Sequence, residues 1–231
     1  MTPSGGLARK RQVWGHTNGS GMLLHTIFLV AIVAEAMTAA LSAGRRRMDW
    51  VGVALLGCVT ALGGGSLRDV LLGHYPLTWV AHPEYLAYTA GAALITIAIA
   101  RLVARLQMLF LMLDNLGLVA FTIIGCNVAR EMGQPVAVAV VAGMITGCAG
   151  GVLRDVLCND VPLLFRRELY ASVSIVTGGL YMGGLAAGLD PFAVTLFALI
   201  AGFAFRSLAI LRNWHIPQFA YATEKTDDRE R

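Results

Sequence analysis

Long apolar stretches dominate the sequence, and short polar or arginine-containing segments separate them. Each apolar stretch is about twenty residues long and shows no alternation of apolar and polar positions, so it predicts a membrane-spanning helix rather than a barrel strand. Seven spans are predicted: Met22 to Ala43, Trp50 to Leu72, Tyr85 to Val103, Met108 to Ala129, Val136 to Cys158, Ala171 to Leu189 and Pro191 to Leu211. The pattern therefore predicts an all-α integral membrane protein with seven transmembrane helices.

One motif occurs twice in the chain. The stretch from Ala61 to Leu77 aligns without a gap with the stretch from Gly147 to Leu163, 86 residues later, and nine of the 17 positions are identical. Each copy of this duplication covers three spans, so the second copy must insert upside down relative to the first. The predicted division is a leader at 1–21, inverted three-helix repeats at 22–106 and 107–190, a seventh helix at 191–212 and a tail at 213–231.

Composition and charge support this interpretation and suggest an orientation. Hydrophobic residues make up 57% of the chain and charged residues 14%, which is too apolar for a soluble domain. With the N-terminus outside, thirteen of the 18 lysines and arginines, including Arg206, lie on the inner side, as the positive-inside rule requires. We expect the leader to be disordered and the tail to be cytoplasmic.

Glycine runs occupy corresponding places in the second and fifth spans. We expect them to interrupt both helices, because paired interrupted helices in inverted repeats indicate a permeation or binding site near the midplane. The alternative is that the glycines only allow two helices to cross closely. The predicted pore-lining or gating residues of these runs are Gly63, Gly64, Gly65, Ser66, Gly150 and Gly151.

An Arg-Asp pair follows each glycine run, and ionisable side chains in a membrane span are costly and are functional candidates by default. Consecutive residues do not face each other on a helix, so we expect Arg68 to pair with Asp155 and Arg154 to pair with Asp69. The alternative is that these charges only hold the repeats together or extend to the lipid headgroups.

Two further acids lie inside spans: Glu35 in the first and Asp114, followed by Asn115, in the fourth. Either acid is a candidate to line a cation path or to exchange protons. A hydrogen bond between helices is the alternative interpretation.

No pattern of catalytic or metal-binding residues is found in the sequence. It contains no Ser/His/Asp, Cys/His or paired-carboxylate arrangement, and its four cysteines lack the spacing of a zinc site. We therefore predict that the protein is not an enzyme, uses no cofactor or metal and binds no nucleic acid. Its expected partners are membrane lipids.

These motifs, together with the segments Arg45 to Asp49 and Arg167 to Ala171, resemble the bacterial branch of the trimeric intracellular cation channel family, a group also catalogued under a glycine transporter domain. The resemblance runs from about Met22 to Phe219. It implies a homotrimer in the bacterial cytoplasmic membrane, with an hourglass pore for monovalent cations between the second and fifth helices of each subunit. Many relatives carry an acid where this chain has Phe28, and the second repeat has Ala149 where the first has Gly63.

We therefore expect a passive channel for potassium and sodium. One rival is a secondary transporter of glycine or another small solute, because inverted repeats with broken helices also form transporters. A second rival is a membrane protein with a structural or assembly role, in which the glycines serve only for packing.

Overall fold

The computed structural model describes residues 19–100, 106–166 and 169–212. Within these ranges the chain is helical throughout and its elements are joined by short turns. The helices are α1 (Gly19–Arg45), α2 (Trp50–Leu72), α3 (Thr78–Ala81), α4 (Glu84–Ala100), α5 (Leu106–Glu131), α6 (Val136–Leu157), α7 (Leu163–Arg166), α8 (Leu169–Ala186) and α9 (Pro191–Leu211).

The predicted all-α membrane fold is confirmed. Six helices, namely α1, α2, α5, α6, α8 and α9, are long and apolar enough to cross a membrane, and α4 is a shorter apolar helix of 17 residues. The predicted third span continues beyond Ala100 into residues outside the described ranges. Helix α1 begins at Gly19, so the last three residues of the predicted leader are helical. The rest of the leader and the predicted tail lie outside the described residues.

Capping residues explain why two predicted spans have the observed bounds. The Asp49 carboxylate accepts a hydrogen bond from the Gly52 backbone N–H at 2.7 Å at the start of α2, and Gly73 ends that helix with a left-handed φ of 68°. Helix α9 begins in the same way, with the Asp190 carboxylate accepting from the backbone of Ala193 at 2.8 Å and with proline at its first position.

Helix α5 lies in the middle of the bundle and contacts α1, α6, α8 and α9. Side chains such as Leu118, Val119 and Ile123 on this helix are fully buried, and α1 contributes Ala31 and Ile32 to the same core. Helices α1 and α5 are accordingly the most buried of the membrane-spanning helices. The other long helices expose more of their apolar surface.

Glycines allow α2 and α6 to cross at very short range. A Cβ atom on Gly64 would overlap the carbonyl oxygen of Thr146, and a Cβ atom on Gly150 would overlap the carbonyl oxygen of Thr60. The 86-residue offset of the duplication relates Gly64 to Gly150 and Thr60 to Thr146. The two repeats therefore meet at a pseudo-symmetric contact in which glycine is required on both sides.

The predicted interruption of the second and fifth spans is wrong. Helices α2 and α6 remain α-helical through the glycine runs at 63–65 and 150–151. The physical reason is that backbone groups released from a helix at membrane depth have no water to bind, so the helix continues unless a cavity accommodates them. Close helix crossing, the alternative interpretation, explains Gly64 and Gly150.

Candidate functional site

A group of polar side chains, hereafter the polar cluster, is buried between five helices. None of its members is more than 6% exposed. They are Glu35 and Thr38 of α1, Asp114 of α5, Arg154 and Asp155 of α6, Tyr170 of α8 and Arg206 of α9. Helix α9, outside the two repeats, thus contributes one of the two arginines.

Arg154 lies at the centre of the polar cluster. Its Nη1 donates to Asp114 Oδ1 at 2.8 Å and to Thr38 Oγ1 at 2.9 Å, while its Nε donates to Asp155 Oδ1 at 2.8 Å. The guanidinium carbon also lies 4.7 Å from the centre of the Phe110 ring. One arginine therefore connects α1, α5 and α6 through charge-assisted hydrogen bonds.

Asp114 receives a second guanidinium group from α9. Arg206 Nη2 donates to Asp114 Oδ2 at 2.5 Å, and its Nη1 donates to the Asp114 carbonyl oxygen at 3.2 Å. The Arg206 guanidinium stacks 4.1 Å from the centre of the Tyr170 ring, and the Tyr170 hydroxyl donates to Asp114 Oδ1 at 3.4 Å. The buried carboxylate is thus neutralised and bonded from two sides.

Glu35 occupies the edge of the same cluster. Its Oε2 accepts from Thr38 Oγ1 at 3.1 Å and lies 3.7 Å from Arg154 Nη1. The Glu35 carboxyl group lies directly against the backbone of Gly117, where a Cβ atom would overlap it. Gly117 therefore makes room for an acid from the neighbouring helix, and the two acids predicted separately in α1 and α5 meet in one site.

Arg68 and Asp69 form a second buried charged group, near the C-terminal end of α2. Arg68 donates to Asp69 Oδ1 from Nε at 3.0 Å and from Nη2 at 2.7 Å. His74 Nδ1 lies 3.0 Å from the same oxygen, and Thr78 Oγ1 donates to Asp69 Oδ2 at 3.3 Å. Two arginine nitrogens, one histidine ring nitrogen and one threonine hydroxyl thus surround the carboxylate of Asp69, which is fully buried.

The predicted pairing of charges between the repeats is wrong. Arg68 pairs with Asp69 and Arg154 pairs with Asp155, so each arginine binds the residue that follows it. The rule that consecutive residues diverge describes their Cβ atoms, whereas a long arginine side chain can fold back along its own helix. Arg154 additionally reaches Asp114, which belongs to the same repeat.

A small cavity of about 20 Å³ lies beside the Arg68 group. Such a volume admits roughly one water-sized particle. Its walls include Phe28, Gly65, Arg68, Trp79, Phe121 and Thr146. Trp79 of the short helix α3 closes it from one side, and the indole N–H donates to Ser66 Oγ at 3.2 Å.

The remaining glycines of the predicted site have different surroundings. A Cβ atom on Gly63 would lie 2.6 Å from Leu153 Cδ1, so this residue belongs to the helix contact. Gly65 faces the small cavity, where a Cβ atom would meet only Arg68 Nη2, at 3.7 Å. Gly151 adjoins the polar cluster, because a Cβ atom added to it would lie 2.8 Å from the Tyr170 hydroxyl oxygen.

Three members of the polar cluster were not predicted: Thr38, Tyr170 and Arg206. Arg206 was detectable, because it lies inside the apolar stretch of the seventh span, where an arginine is costly. The side chain counted among the inner-side arginines is buried, since it is 5% exposed and bonded to Asp114. Tyr170 lies in the segment from Arg167 to Ala171 that carries the family resemblance, but threonine and tyrosine are common in such helices and give no charge to notice.

The polar cluster has the chemistry of a charged site within the membrane rather than that of a metal centre. Three acidic side chains face two arginines, which leaves a formal excess of one negative charge. In the described ranges no group of three or more His, Cys, Asp or Glu residues is placed to hold a metal ion.

Comparison with known proteins places these features in a family. A family model described as glycine transporter matches residues 25–101 and 111–184, two stretches that begin 86 residues apart. The UPF0126 inner membrane protein YadS of Escherichia coli K12 is 36% identical over 203 residues, covering 86% of this chain and 97% of YadS. The UPF0126 membrane protein YvgT of Bacillus subtilis is 34% identical over 210 residues, covering 87% of this chain and 98% of YvgT.

Solved structures with the same fold are also known. The TRIC trimeric intracellular cation channel orthologue from Rhodobacter sphaeroides matches with a TM-score of 0.81 at 30% identity, over 84% of this chain and all of that one. A second structure, described in terms of conductance through TRIC cation channels, matches with a TM-score of 0.79 at 30% identity, over 87% of this chain and 98% of its own. The chain therefore belongs to the glycine transporter family of membrane proteins, together with the UPF0126 proteins and the prokaryotic TRIC channels that it resembles in sequence and fold.

Proposed function

We propose that the protein is a channel for monovalent cations, potassium and sodium, with a pathway inside each subunit of a homotrimer. The similar solved structures are described as TRIC cation channels, and one of them as trimeric. The observation that carries the proposal is the polar cluster, because its buried acids and arginines are costly in a membrane unless they serve a function. The preference for cations rests on the similarity to the TRIC cation channels.

The proposed pathway passes along the contact between α2 and α6. It begins at the small cavity beside Arg68 and Gly65, crosses the contact near Thr60 and Thr146, and ends at the polar cluster. The glycine contact is too close for an ion to pass, so conduction requires α2 and α6 to separate. Separation would expose the hydroxyl and carbonyl groups of both threonines, which are ligands suited to a partly dehydrated cation.

Single-channel recording in planar bilayers under a potassium chloride gradient tests the proposal. The expected result is picoampere steps that reverse near the potassium equilibrium potential. Gly65→Leu should lower the conductance severalfold, because Gly65 faces the cavity and has room for a side chain that would obstruct it. Gly91→Leu is the matched control, since a Cβ atom on Gly91 meets no other atom within 4 Å. Equal conductance in both variants would contradict this pathway.

A secondary transporter of glycine or another small solute is the second candidate, favoured by the description of the matching family model. It predicts slow, saturable uptake of labelled solute into liposomes and no single-channel steps. Proton coupling in such a transporter would depend on Glu35 or Asp114, the two acids that lie in the polar cluster without an arginine next to them in sequence. Uptake that is unchanged by Glu35→Gln and by Asp114→Asn would count against proton-coupled transport.

We infer that the protein resides in the bacterial inner membrane with its N-terminus outside and its C-terminus in the cytoplasm. The name of YadS as an inner membrane protein and the arginine distribution support this placement. Arg47 lies between α1 and α2, on the side proposed to be inside, and Gly133 lies between α5 and α6, on the side proposed to be outside. A single cysteine introduced at position 133 should therefore react with an impermeant maleimide in spheroplasts, and one introduced at position 47 should not. Labelling only at position 47 would reverse the orientation.

A further inference from the structure

An apolar groove opens at the end of the bundle where α1 ends and α2 begins. Its volume is about 420 Å³, and its walls are formed by α1, α2, α4 and the start of α5. Leu41, Val53 and Ile97 form part of its floor, while Gly44, Arg45 and Trp50 stand at its mouth. The groove is therefore apolar inside and carries a cationic side chain at its opening.

The charges at this mouth are unbalanced. Arg46 is engaged by the carboxylate of Asp160, and the Asp49 carboxylate is engaged by the backbone of Gly52. Arg45 and Arg47 have no carboxylate within 4.0 Å in the part of the chain that the structure describes. The Arg45 guanidinium carbon instead lies 5.0 Å from the centre of the Phe110 ring. An anion at the mouth of the groove would find a cation that is already positioned.

The location of the groove matches the border between hydrocarbon and headgroups. It lies where two membrane-spanning helices end, and Trp50 at its mouth is 72% exposed. Exposed tryptophans are enriched at this depth because the indole ring is both apolar and polar. Basic pockets between helix ends are typical sites for anionic lipid headgroups.

We propose that this groove binds an anionic phospholipid, with one acyl chain in the apolar groove and the phosphate at Arg45. Charge complementarity favours this occupant, because the phosphate pairs with the Arg45 guanidinium and the acyl chain fits the apolar walls of the groove. The lipid neutralises Arg45, and the acyl chain covers the side chains of Leu41 and Ile97. This inference does not depend on whether the protein conducts ions.

The test uses the full-length protein in detergent micelles, titrated with palmitoyl-oleoyl phosphatidylglycerol or with the matching phosphatidylcholine. Retained lipid is counted by native mass spectrometry, and the shift in thermal unfolding midpoint gives an apparent affinity. Phosphatidylglycerol should bind more tightly than phosphatidylcholine. Arg45→Gln should weaken phosphatidylglycerol binding by about fivefold, the factor that one arginine near an anionic lipid surface typically contributes.

Two further variants separate lipid binding from general effects. Gly44→Leu should reduce binding of both lipids, because a Cβ atom on Gly44 meets nothing within 4 Å and the larger side chain extends into the groove without disturbing the fold. Arg212→Gln removes an exposed arginine that does not line the groove and should leave lipid binding unchanged. Equal affinity for the two lipids, or an unchanged lipid preference in Arg45→Gln, would overturn the proposal. Loss of the oligomer in Gly44→Leu would also overturn it and assign the groove to a contact between subunits.

Discussion

Replacing Arg206 by methionine should destabilise the protein strongly, because it removes one partner of a buried ion pair. Arg206 is 5% exposed and binds both the carboxylate and the backbone carbonyl of Asp114. Removing one partner of such a pair typically costs about 3 to 5 kcal/mol, since the other charge stays buried. Asp114 retains Arg154 at 2.8 Å, so we expect a loss near the lower end, about 3 kcal/mol.

A double-mutant cycle isolates the interaction from the loss of packing on Tyr170. Asp114→Asn alone should also destabilise, because two buried guanidinium groups then lose their shared carboxylate. Adding Asp114→Asn to Arg206→Met should cost less than the sum of the two single changes. We expect a coupling free energy of about 2 kcal/mol, within the range found for groups in one network.

The assay is reversible unfolding of the detergent-solubilised protein in increasing mole fractions of dodecyl sulfate, followed by circular dichroism. Arg212→Met is the matched control, since Arg212 is exposed at the end of the same helix and should change the free energy of unfolding by less than about 0.5 kcal/mol. Additive losses in the cycle would refute the reasoning. A loss of unfolding free energy below about 1 kcal/mol for Arg206→Met would also refute the reasoning, because a loss of that size is typical of an exposed ion pair rather than a buried one.

Four other substitutions test local features in the same unfolding assay. Gly64→Ala should cost about 1 to 3 kcal/mol because its Cβ atom overlaps the carbonyl oxygen of Thr146, whereas Gly91→Ala should be neutral or stabilise by up to about 1 kcal/mol. Asp49→Ala should cost about 1 kcal/mol by removing the N-terminal cap of α2, and retained stability would contradict the capping role. Arg46→Gln should cost less than about 1 kcal/mol because its ion pair is about 40% exposed, and a larger loss would point to a structural role for this link.

The long helices could be predicted from the sequence because the membrane imposes a minimum apolar length on every span. Helix α9 agrees with its predicted bounds, and α2 does as well, since capping residues mark both ends of α2 and the start of α9. The duplication was equally visible, and the family model matches two stretches with the same 86-residue offset. Short helices such as α3 were missed because four residues carry too little periodicity to be recognised.

The geometry of the site could not be predicted to the same degree. Glu35 and Asp114 were identified as buried acids, but their meeting depends on how α1 packs against α5, and the enabling residue is Gly117, which carries no chemical group to notice. The partners of Arg154 were mispredicted because the sequence does not determine the rotamer of a long side chain. The glycine runs were misinterpreted because glycine is a weak helix former in water but continues a helix where no water can replace the backbone hydrogen bonds.

The two halves of the duplication now differ in a way that locates the tighter end of the proposed pathway. The 86-residue offset relates Phe28 to Asp114 and Arg68 to Arg154, so one repeat has an aromatic ring where the other has an acid. Phe28 contacts the rings of Tyr85 and Phe121 and lines the small cavity beside Arg68, whereas Asp114 binds both Arg154 and Arg206.

The aromatic half therefore retains a cavity, and the charged half is filled by ion pairs. Movement of α6 away from α1 would break the contacts of Arg154 with Thr38 and Glu35 of the first repeat, whereas Arg68 binds within its own repeat. Because breaking buried ion pairs costs more than parting apolar side chains, the larger barrier lies at the polar cluster. A charge-neutral replacement of Phe28, such as Phe28→Leu, should accordingly change conductance far less than Asp114→Asn.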